Sequence, residues 1–258
     1  MSDLLFHYCP TQSFHSIIKN GSIWLSSLTL SNDSKEGLLA TEFLLNRINA
    51  ANLTEKQANT AKEMVNEFHE ISDGLGFCLS KENDRLSQWR GYADDGKGFS
   101  IGFSKDYLQN EIASQNHGHG ADITLEEVIY SEEKYSEYLD KVLDFLKTID
   151  ERQGDLNTWI KELIVNRYKI KNKAFEEESE WRLLTFFLNK VNQDSVQFRP
   201  SVNRLTPYVP LELVNRNNAI RKVVIGPKNI TPEPVVEKFL HLWGYGDAKV
   251  TKSKATYR

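Results

Sequence analysis

The first segment with side chains suited to chemistry lies close to the start of the sequence. It reads Phe6-His7-Tyr8-Cys9 and precedes a helical pattern. On an extended strand His7 and Cys9 point to one face, and Phe6 and Tyr8 point to the other. A histidine placed beside a turn can donate a hydrogen bond to a ligand hydroxyl. The alternative is a histidine whose hydrogen bonds are satisfied inside the core.

A second segment combines a buried-strand pattern with two aromatic residues. Residues 77–80 read Phe-Cys-Leu-Ser, and a helical pattern follows over residues 84–92. Trp89 and Tyr92 are three positions apart, so they share one face of that helix. Aromatic rings in this arrangement can stack on a planar ligand or fill the core. The sequence leaves both interpretations open.

A third segment places acidic residues and an arginine on one strand. Glu178, Glu180 and Arg182 alternate, so they share a face, while Trp181 and Leu183 share the opposite one. Neighbouring carboxylates repel each other, and their burial requires a compensating charge. Arg182 can supply that charge. The alternative is a solvated edge strand held by Glu–Arg pairs.

Other common reactive motifs do not occur in the sequence. It contains no GxxxxGK[ST] phosphate loop, no HExxH and no GxSxG. His117 and His119 could grip a metal ion, but they lie in a polar, glycine-rich stretch without clustered carboxylates or thiols. We therefore expect ordinary loop histidines and no metal site. Cys9 and Cys78 lie outside any CxxC motif and predict reduced thiols in a cytoplasmic protein.

Length and composition indicate an ordinary globular chain. It has 258 residues, of which 40% are hydrophobic and 26% charged, and its formal net charge is −4. These values exclude collagen-like, disulfide-scaffold and wholly disordered classes. Apolar runs are short and the first residues lack a basic, apolar leader. We therefore expect no membrane partner and no secretory signal peptide.

The charge is distributed unevenly along the chain. Residues 1–156 carry a formal charge of −12 and residues 157–258 carry +8. The basic part includes alternating cations at Arg167, Lys169, Lys171 and Lys173. This asymmetry indicates either a side that binds a polyanion, such as nucleic acid, or two complementary halves of one fold.

The elements that must position these residues predict an α+β protein. Strands are predicted at residues 4–8, 22–26, 74–80, 97–103, 123–130, 180–188, 208–213, 220–225 and 249–251. Helices are predicted after residues 11, 34 and 54, over 84–92, 132–150 and 156–173, and after 232. The strands cluster toward both ends, so α+β is favoured over a doubly wound sheet. We expect one domain over residues 1–258 with a helical insertion near residues 131–173.

The order of these segments resembles a bacterial domain-of-unknown-function family, number 2971. The blocks that carry the resemblance are Phe-His-Tyr-Cys, Phe-Cys-Leu-Ser, Gln-Trp, Ile-Gly-Phe, Glu-Ser-Glu-Trp-Arg, Val-Val-Ile-Gly-Pro and a terminal Tyr-Arg. They run from His7 to Arg258. This family name implies no activity.

The layout is also similar to the ADP-ribosyltransferase superfamily, whose folds bind NAD in a cleft between two small sheets. His7 matches the first position of the superfamily signature, and residues 77–80 match the strand that brings an aromatic ring over nicotinamide. Glu180 matches the late glutamate, and Glu178-Ser-Glu180 is similar to the ExE motif of arginine-modifying members. The similarity implies a split β-sheet core flanked by helices.

The same similarity implies an NAD-dependent transferase that cleaves NAD and passes ADP-ribose to an acceptor. Glu180 would stabilise the oxocarbenium ion on the ribose, and His7 would be a neutral donor to the other ribose. Arg90 or Arg182 would meet the pyrophosphate, or Arg182 would orient Glu180. Residues expected to contact NAD are His7, Tyr8, Ser80, Trp89, Arg90, Tyr92, Glu178 and Arg182.

Several alternatives stay open at the level of the sequence. Trp89 or Tyr92 would replace the usual tyrosine, because Cys78 or Leu79 stands at its position. The acceptor is a protein, a nucleic acid or a small molecule, and the oligomeric state is not predicted. The similarity suggests a role in phage defence or a toxin system. The other functions are a non-catalytic nucleotide- or nucleic-acid-binding module on the same fold, and a structural interaction protein.

Overall fold

The computed structural model describes residues 4–31, 37–114, 122–147, 165–188, 195–201 and 203–257. Within these ranges the chain is α+β, with helices flanking an open, mixed sheet. The strands are β1 (Leu4–Cys9), β2 (Ser22–Ser27), β3 (Ser72–Ser80), β4 (Phe99–Ser104), β5 (Thr124–Glu127), β6 (Glu180–Leu188), β7 (Gln197–Ser201), β8 (Arg204–Glu212), β9 (Ile220–Ile225) and β10 (Lys249–Lys252). The helices are α1 (Thr11–Asn20), α2 (Leu38–Ala50), α3 (Glu55–Ile71), α4 (Leu86–Tyr92), α5 (Lys105–Tyr107), α6 (Glu132–Lys147), α7 (Arg216–Ala219) and α8 (Glu233–Leu242).

Strand β3 is the branching point of the sheet. Along one edge it pairs with β6 over its whole length, from Ser72 to Ser80. Along the other edge it pairs with β2 at Leu75 and Gly76 and with β1 only at Ser80. The strands therefore run in the order β10-β9-β4-β1-β3-β2-β8-β7, with β6 and β5 joined through β3. Strands β1 and β2 diverge from β3 and leave a fork beside residues 77–79.

Apolar periodicity explains how the first elements pack on this sheet. Phe14, Ile17 and Ile18 form one buried face of α1, at the spacing that one side of a helix requires. The helix ends at Gly21, which adopts a left-handed conformation and donates its N–H to the Ile17 carbonyl. Ile18 and these neighbours join a large apolar cluster that fills one side of the sheet.

A second apolar cluster joins three helices that come from separate parts of the sequence. Helices α2, α3 and α6 pack together through side chains such as Leu44, Val65 and Leu139. Helix α3 begins with a capping box between Thr54 and Gln57. The expected insertion therefore does not stand apart in the described residues, because α6 packs against two helices from residues 38–71. The single-domain organisation stays a prediction.

Most predicted elements are present, and the α+β class is confirmed. The relation to the ADP-ribosyltransferase fold stays a prediction. The helix predicted for residues 156–173 is wrong over residues 167–173, while residues 156–164 lie outside the described ranges. Lys171 donates its backbone N–H to the Ile129 carbonyl, and Ile170 forms a parallel bridge with Ile129. These backbone hydrogen bonds replace those of a helix.

Three further differences concern caps, loops and a strand. The proposed cap at residues 32–34 and the pair His117 and His119 lie outside the described residues, and α2 begins after Gly37. Strand β7 is absent from the prediction because its side chains are mostly exposed, so no buried apolar face marks it. It forms a hairpin with β8. Of the helices in the described ranges, none combines the length and apolar character needed to cross a bilayer.

Candidate functional site

The fork beside β3 opens into a cavity of about 370 Å³. Its walls come from β1, β2, β3, β6, β7 and β8, together with the end of α4. The polar and aromatic residues that line it are His7, Tyr8, Trp24, Ser26, Ser27, Ser31, Phe77, Cys78, Gln88, Tyr92, Lys171, Glu178, Glu180, Arg182, Arg199, Ser201, Arg204 and Thr206. The structure therefore brings His7, Tyr8, Tyr92, Glu178, Glu180 and Arg182 of the predicted set to one cavity.

His7 is held against β3 in one tautomer. Its Nδ1 lies 2.9 Å from the Cys78 carbonyl oxygen, and its ring stacks on Phe77 at a centroid distance of 4.2 Å. A carbonyl oxygen only accepts, so Nδ1 carries the proton. Burial lowers the pKa of His7 to about 4, although the hydrogen bond to Cys78 acts in the opposite direction. In the neutral ring Nε2 is an acceptor, whereas the sequence led us to expect a donor.

Glu180 is buried among cations, with only 5% of the residue exposed. Its Oε1 accepts from Arg182 Nε at 2.7 Å, and its Oε2 accepts from Arg182 Nη2 at 3.0 Å and from Lys171 Nζ at 3.1 Å. Burial alone would raise the pKa of Glu180, but the charges of Arg182 and Lys171 outweigh it and lower the pKa to about 2. The carboxylate is therefore ionised and fixed in orientation. Arg182 orients Glu180, as one of the two sequence interpretations stated.

Glu178 forms the other half of this acidic pair and is less fully occupied. Its Oε2 accepts from Lys171 Nζ at 2.6 Å, and its Oε1 accepts from the Tyr92 hydroxyl at 2.8 Å. Tyr92 is 39% exposed at the cavity wall. Burial lowers the pKa of Lys171, but Glu180 and Glu178 outweigh that effect and raise it above its ordinary value. Two carboxylates and two cations thus form one cluster whose formal charges cancel.

The loops before β6 set the position of this cluster. Residue Ser179 has a left-handed backbone, with φ of 45°, and separates the two glutamates. Its carbonyl accepts from the Lys81 N–H, and the Glu180 N–H donates to the Tyr130 hydroxyl at 2.9 Å. Ser80 Oγ donates to the Glu178 carbonyl at 2.6 Å. Glu178 and Glu180 are therefore fixed by backbone hydrogen bonds as well as by ion pairs.

Three residues predicted to contact NAD are not among the described residues that line the cavity. Ser80 is buried and holds the Glu178 backbone. Trp89 is completely buried and donates from Nε1 to Asp84 Oδ1 at 2.7 Å, so it fills the core. Arg90 is exposed on the far side of α4, with its guanidinium 5.9 Å from the Tyr257 ring centroid. None of the three therefore lies in the wall of this cavity, and their contacts with NAD stay a prediction.

Tyr8 lies in the cavity wall, while its hydroxyl is used elsewhere. The hydroxyl donates to the Glu82 carbonyl at 2.8 Å and accepts from the Arg85 N–H at 3.0 Å. The ring packs edge-on against Trp89. Tyr8 is therefore buried in the cavity wall, and its hydroxyl anchors the turn that leads into α4.

Sequence reasoning missed residues that only the folded sheet brings to the cavity. Trp24, Arg199 and Arg204 lie on β2, β7 and β8 and have no local motif. In the sequence, Lys171 is one of a run of alternating cations and belongs to no motif. Its partners lie seven and nine residues away across a short helical turn, so sequence spacing gave no signal.

The alternating cations do not form a free basic face. Arg167 is buried and donates to the Tyr168 hydroxyl at 2.9 Å. Lys169 pairs with Glu126 at 2.9 Å, and Lys171 pairs with both glutamates of the cavity. Only Lys173 of the four is exposed. Much of the positive charge near residues 167–173 therefore compensates acidic residues of the same fold.

Within the ranges that the structure covers, no group of three or more His, Cys, Asp or Glu side chains is placed to hold a metal ion. Both cysteines are free thiols, with Cys9 buried and Cys78 exposed. The Cys78 thiol donates to Glu180. The cavity is thus lined by ion-paired side chains, aromatic rings and one neutral histidine.

Comparison with known proteins adds one finding. Residues 88–183 match a family described as "Protein of unknown function (DUF2971)". This segment includes Tyr92, Lys171, Glu178, Glu180 and Arg182, and it excludes His7. Neither the curated proteins nor the solved structures gave a significant match. The match supports the resemblance to this family for less than half of the chain and names no activity.

Proposed function

We propose that the chain binds NAD in the cavity at the fork of β3, cleaves its nicotinamide–ribose bond and transfers ADP-ribose to an acceptor. The observation that carries this proposal is the convergence of four predicted residues on one cavity, namely His7, Tyr92, Glu178 and Glu180. These residues lie on three separate parts of the sequence. His7, for example, contacts Cys78, which lies 71 positions away in the sequence. Contacts between residues close in sequence therefore do not explain why these parts of the chain come together.

The chemistry of the cavity suits an N-glycosidic substrate. Cleavage of the bond between ribose C1′ and the nicotinamide nitrogen leaves its electron pair on nicotinamide and develops positive charge on the ribose. Glu180 is an ionised carboxylate whose orientation is fixed before the reaction, which is the property that favours electrostatic stabilisation. The acceptor then forms a bond to C1′ and loses a proton.

Glu178 is suited to receive that proton. A carboxylate offers about four lone-pair positions, and Glu178 uses one for Lys171 and one for Tyr92. Glu180, by contrast, accepts two bonds from Arg182, one from Lys171 and one from the Cys78 thiol. We therefore assign proton acceptance to Glu178 and fixed negative charge to Glu180. Neutral His7 can accept a hydrogen bond from a ribose hydroxyl through Nε2.

The saturation of Glu180 also favours a second candidate function. A carboxylate that is fully engaged by protein donors gives little to a sugar hydroxyl, which is the arrangement expected of a nucleotide-binding module without turnover. The two functions share a binding cavity and differ in whether nicotinamide is released. One experiment can therefore separate them.

The experiment measures nicotinamide release from labelled NAD by the purified protein, with and without a cell lysate as a source of acceptor. We expect Glu180→Gln to lower the rate by about 100-fold, because removal of a single preorganised electrostatic group commonly costs that much. Glu237→Gln, at an exposed position of α8, is the matched control and should keep the rate of the unaltered protein.

Because Glu180→Gln leaves Arg182 without a buried counter-charge and Lys171 with Glu178 alone, its folding is checked by circular dichroism. Glu178→Gln provides a second variant if Glu180→Gln unfolds. Catalysis would be refuted if the unaltered protein released nicotinamide no faster than a sample without protein. NAD binding by calorimetry without release would then identify the binding module.

A further inference from the structure

We propose that Trp24, Arg199 and Arg204 form a nucleotide subsite in the same cavity, with the base on Trp24 and a phosphate or pyrophosphate on the two arginines. The inference rests on the proposed function in one respect, since it assigns the nucleoside-diphosphate part of NAD to these residues. It gives that role to side chains on β2, β7 and β8 instead of to Arg90, which does not line the cavity.

The register of the sheet places this set on one face. Arg199 lies opposite Thr206, and Arg204 lies opposite Ser201, in the hairpin of β7 and β8. Strand β2 pairs with the other edge of β8, where Ser26 lies opposite Tyr208. Thr206, Ser201 and Ser26 all line the cavity together with the two arginines and Trp24. The hairpin therefore forms a polar wall across from the acidic cluster.

The Arg199 side chain reaches from β7 toward β2. Its Nη2 lies 3.5 Å from Ser26 Oγ, and its guanidinium carbon lies 6.0 Å from the Trp24 ring centroid. Its Nε is buried, and no hydrogen-bond partner for it occurs among the described residues. Buried donors in folded proteins nearly always have an acceptor. A bound anion would supply one.

The two ends of the cavity differ in how their cations are compensated. Arg182 and Lys171 each contact a carboxylate at 3.1 Å or less. For Arg199 and Arg204 no carboxylate lies within ion-pair distance in the part of the chain that the structure describes. Arginine side chains bind phosphate through paired N–H groups. The uncompensated end is therefore suited to the phosphates of a substrate.

Trp24 provides a flat surface next to these cations. It is 40% exposed although it is large and apolar, and it lies in the cavity wall. Its ring stacks on Tyr208 at a centroid distance of 4.3 Å, and the Tyr208 hydroxyl donates to Gln197 at 2.8 Å. Trp24 is thus supported from the sheet. Stacking on a supported aromatic ring is a common way to bind a nucleobase.

The subsite also gives the substrate a direction. Four strand spacings separate β7 from β6, which corresponds to roughly 19 Å between the two backbones. A ligand that contacts both ends must be elongated. With its base and phosphates at the β7–β8 hairpin, a dinucleotide would extend its second ribose toward His7 and the glutamates. This orientation agrees with the roles proposed for Glu178 and Glu180.

The experiment measures the affinity of the full chain for ADP-ribose by calorimetry. ADP-ribose lacks nicotinamide, so it reports binding without reaction. We expect Arg204→Gln and Arg199→Gln each to weaken binding by at least about tenfold, as the loss of a charged hydrogen bond does. Binding of ADP-ribose should change the tryptophan fluorescence of the unaltered protein, because the base stacks on Trp24. Trp24→Leu should weaken binding and remove this change. Arg221→Gln, at an exposed position of β9, is the control and should bind like the unaltered protein.

The outcomes separate this inference from the proposed function. ADP-ribose binding that depends on Arg204, without nicotinamide release, would support the subsite and refute the transferase. Nicotinamide release with the KM for NAD unchanged in Arg199→Gln and Arg204→Gln would refute the subsite and support the transferase. The subsite is also refuted if the unaltered protein binds neither ADP-ribose, ADP nor pyrophosphate. If the arginine variants weaken the binding of an oligonucleotide but not the binding of ADP-ribose, the subsite is refuted and nucleic-acid docking is favoured.

Discussion

Lys171 lies between two buried carboxylates and forms an ion pair with each of them. It contacts Glu178 at 2.6 Å and Glu180 at 3.1 Å, while Arg182 contacts Glu180 at 2.7 Å. The pKa of Glu180 is lowered and that of Lys171 is raised, although burial alone acts against both charges. Buried ion pairs often add little net stability, but removal of one partner exposes the full cost of burying the other.

We therefore expect Lys171→Met to be strongly destabilising. The variant keeps most of the side-chain volume and leaves Glu178 and Glu180 beside each other with one cation instead of two. The free energy of unfolding should fall by about 3–5 kcal/mol, as for other broken buried pairs. Urea unfolding at pH 7 measures this change.

Lys173→Met is the matched control, since Lys173 is exposed two positions away. Its effect should stay within about 0.5 kcal/mol, as is usual on a surface. A Lys171→Met protein as stable as the unaltered chain would mean that the cluster does not depend on this lysine.

Stability of the unaltered protein should also decline at low pH, as the pH falls from the ordinary pKa of Glu180, 4.5, toward about 2.

At the scale of single residues, the sequence predicted the acidic pair, Arg182, His7 and Tyr92. Alternation on one strand accounts for Glu180 and Arg182. It was wrong for Glu178, which lies in a short 3₁₀ helix over Lys173–Glu178, before the left-handed Ser179 and the start of β6. Trp89 and Ser80 are buried outside the cavity wall, and alternation and helical spacing do not say which face of an element is buried. Arg199 and Arg204 were absent because their role depends on strand pairing between distant segments. Local sequence does not show which residues of distant strands become neighbours in a sheet.

At the scale of elements, the start of β4 depends on a very close approach to β1. Gly98 precedes β4, and a Cβ atom at this position would overlap the Cys9 carbonyl oxygen and lie 3.0 Å from the Ala93 carbonyl oxygen. Both neighbours are backbone atoms, which cannot rotate away. The pairing of Cys9 with Phe99 therefore requires glycine at position 98.

We expect Gly98→Ala to lower the free energy of unfolding by about 1–3 kcal/mol, the usual cost of an overpacked site. Gly91→Ala should have the opposite effect. Gly91 lies inside α4, and no atom comes within 4 Å of its added Cβ. Alanine in a helix is favoured over glycine by about 1 kcal/mol. Thermal unfolding of both variants tests the pair, and a stabilising Gly98→Ala would contradict the predicted overlap.

Elements with a clear period were predictable. Strands β6 and β9 begin and end at the predicted residues, because apolar runs bounded by polar or turn residues define them. Strand β7 was missed because it has exposed residues on both faces, and the pairing with β8 decides its conformation. The helix predicted near residue 170 was wrong there because a tertiary bridge to Ile129 overrides local helical preference.

At the scale of the whole molecule, two apolar clusters raise the question of whether the chain unfolds as one unit. One cluster lies against the sheet and includes Ile101, while the other joins α2, α3 and α6 and includes Leu139. Helix α3 leads directly into β3, the strand that forms the fork. We expect this connection to couple the two clusters.

Leu139→Ala should then lower the stability of both clusters together, by about 2–5 kcal/mol. Tryptophan fluorescence reports on the sheet through Trp24 on β2 and Trp181 on β6, and far-ultraviolet circular dichroism reports mainly on the helices. The two signals should keep one common midpoint in urea. Leu242→Ala, at an exposed position of α8, is the control. Separate midpoints in Leu139→Ala would show that the helices unfold independently.

The three partners of β3 also determine how quickly the protein can reach its native state. The contact between Ser80 and Glu178 closes a chain segment of 98 positions, and the contact between His7 and Cys78 closes one of 71. Such distant pairings carry a high entropic cost before they gain stability, so folding of this topology is slow, on the order of milliseconds to seconds or longer. Because the cavity exists only after β1, β2 and β6 have all met β3, ligand-binding competence should be among the last properties to appear during refolding.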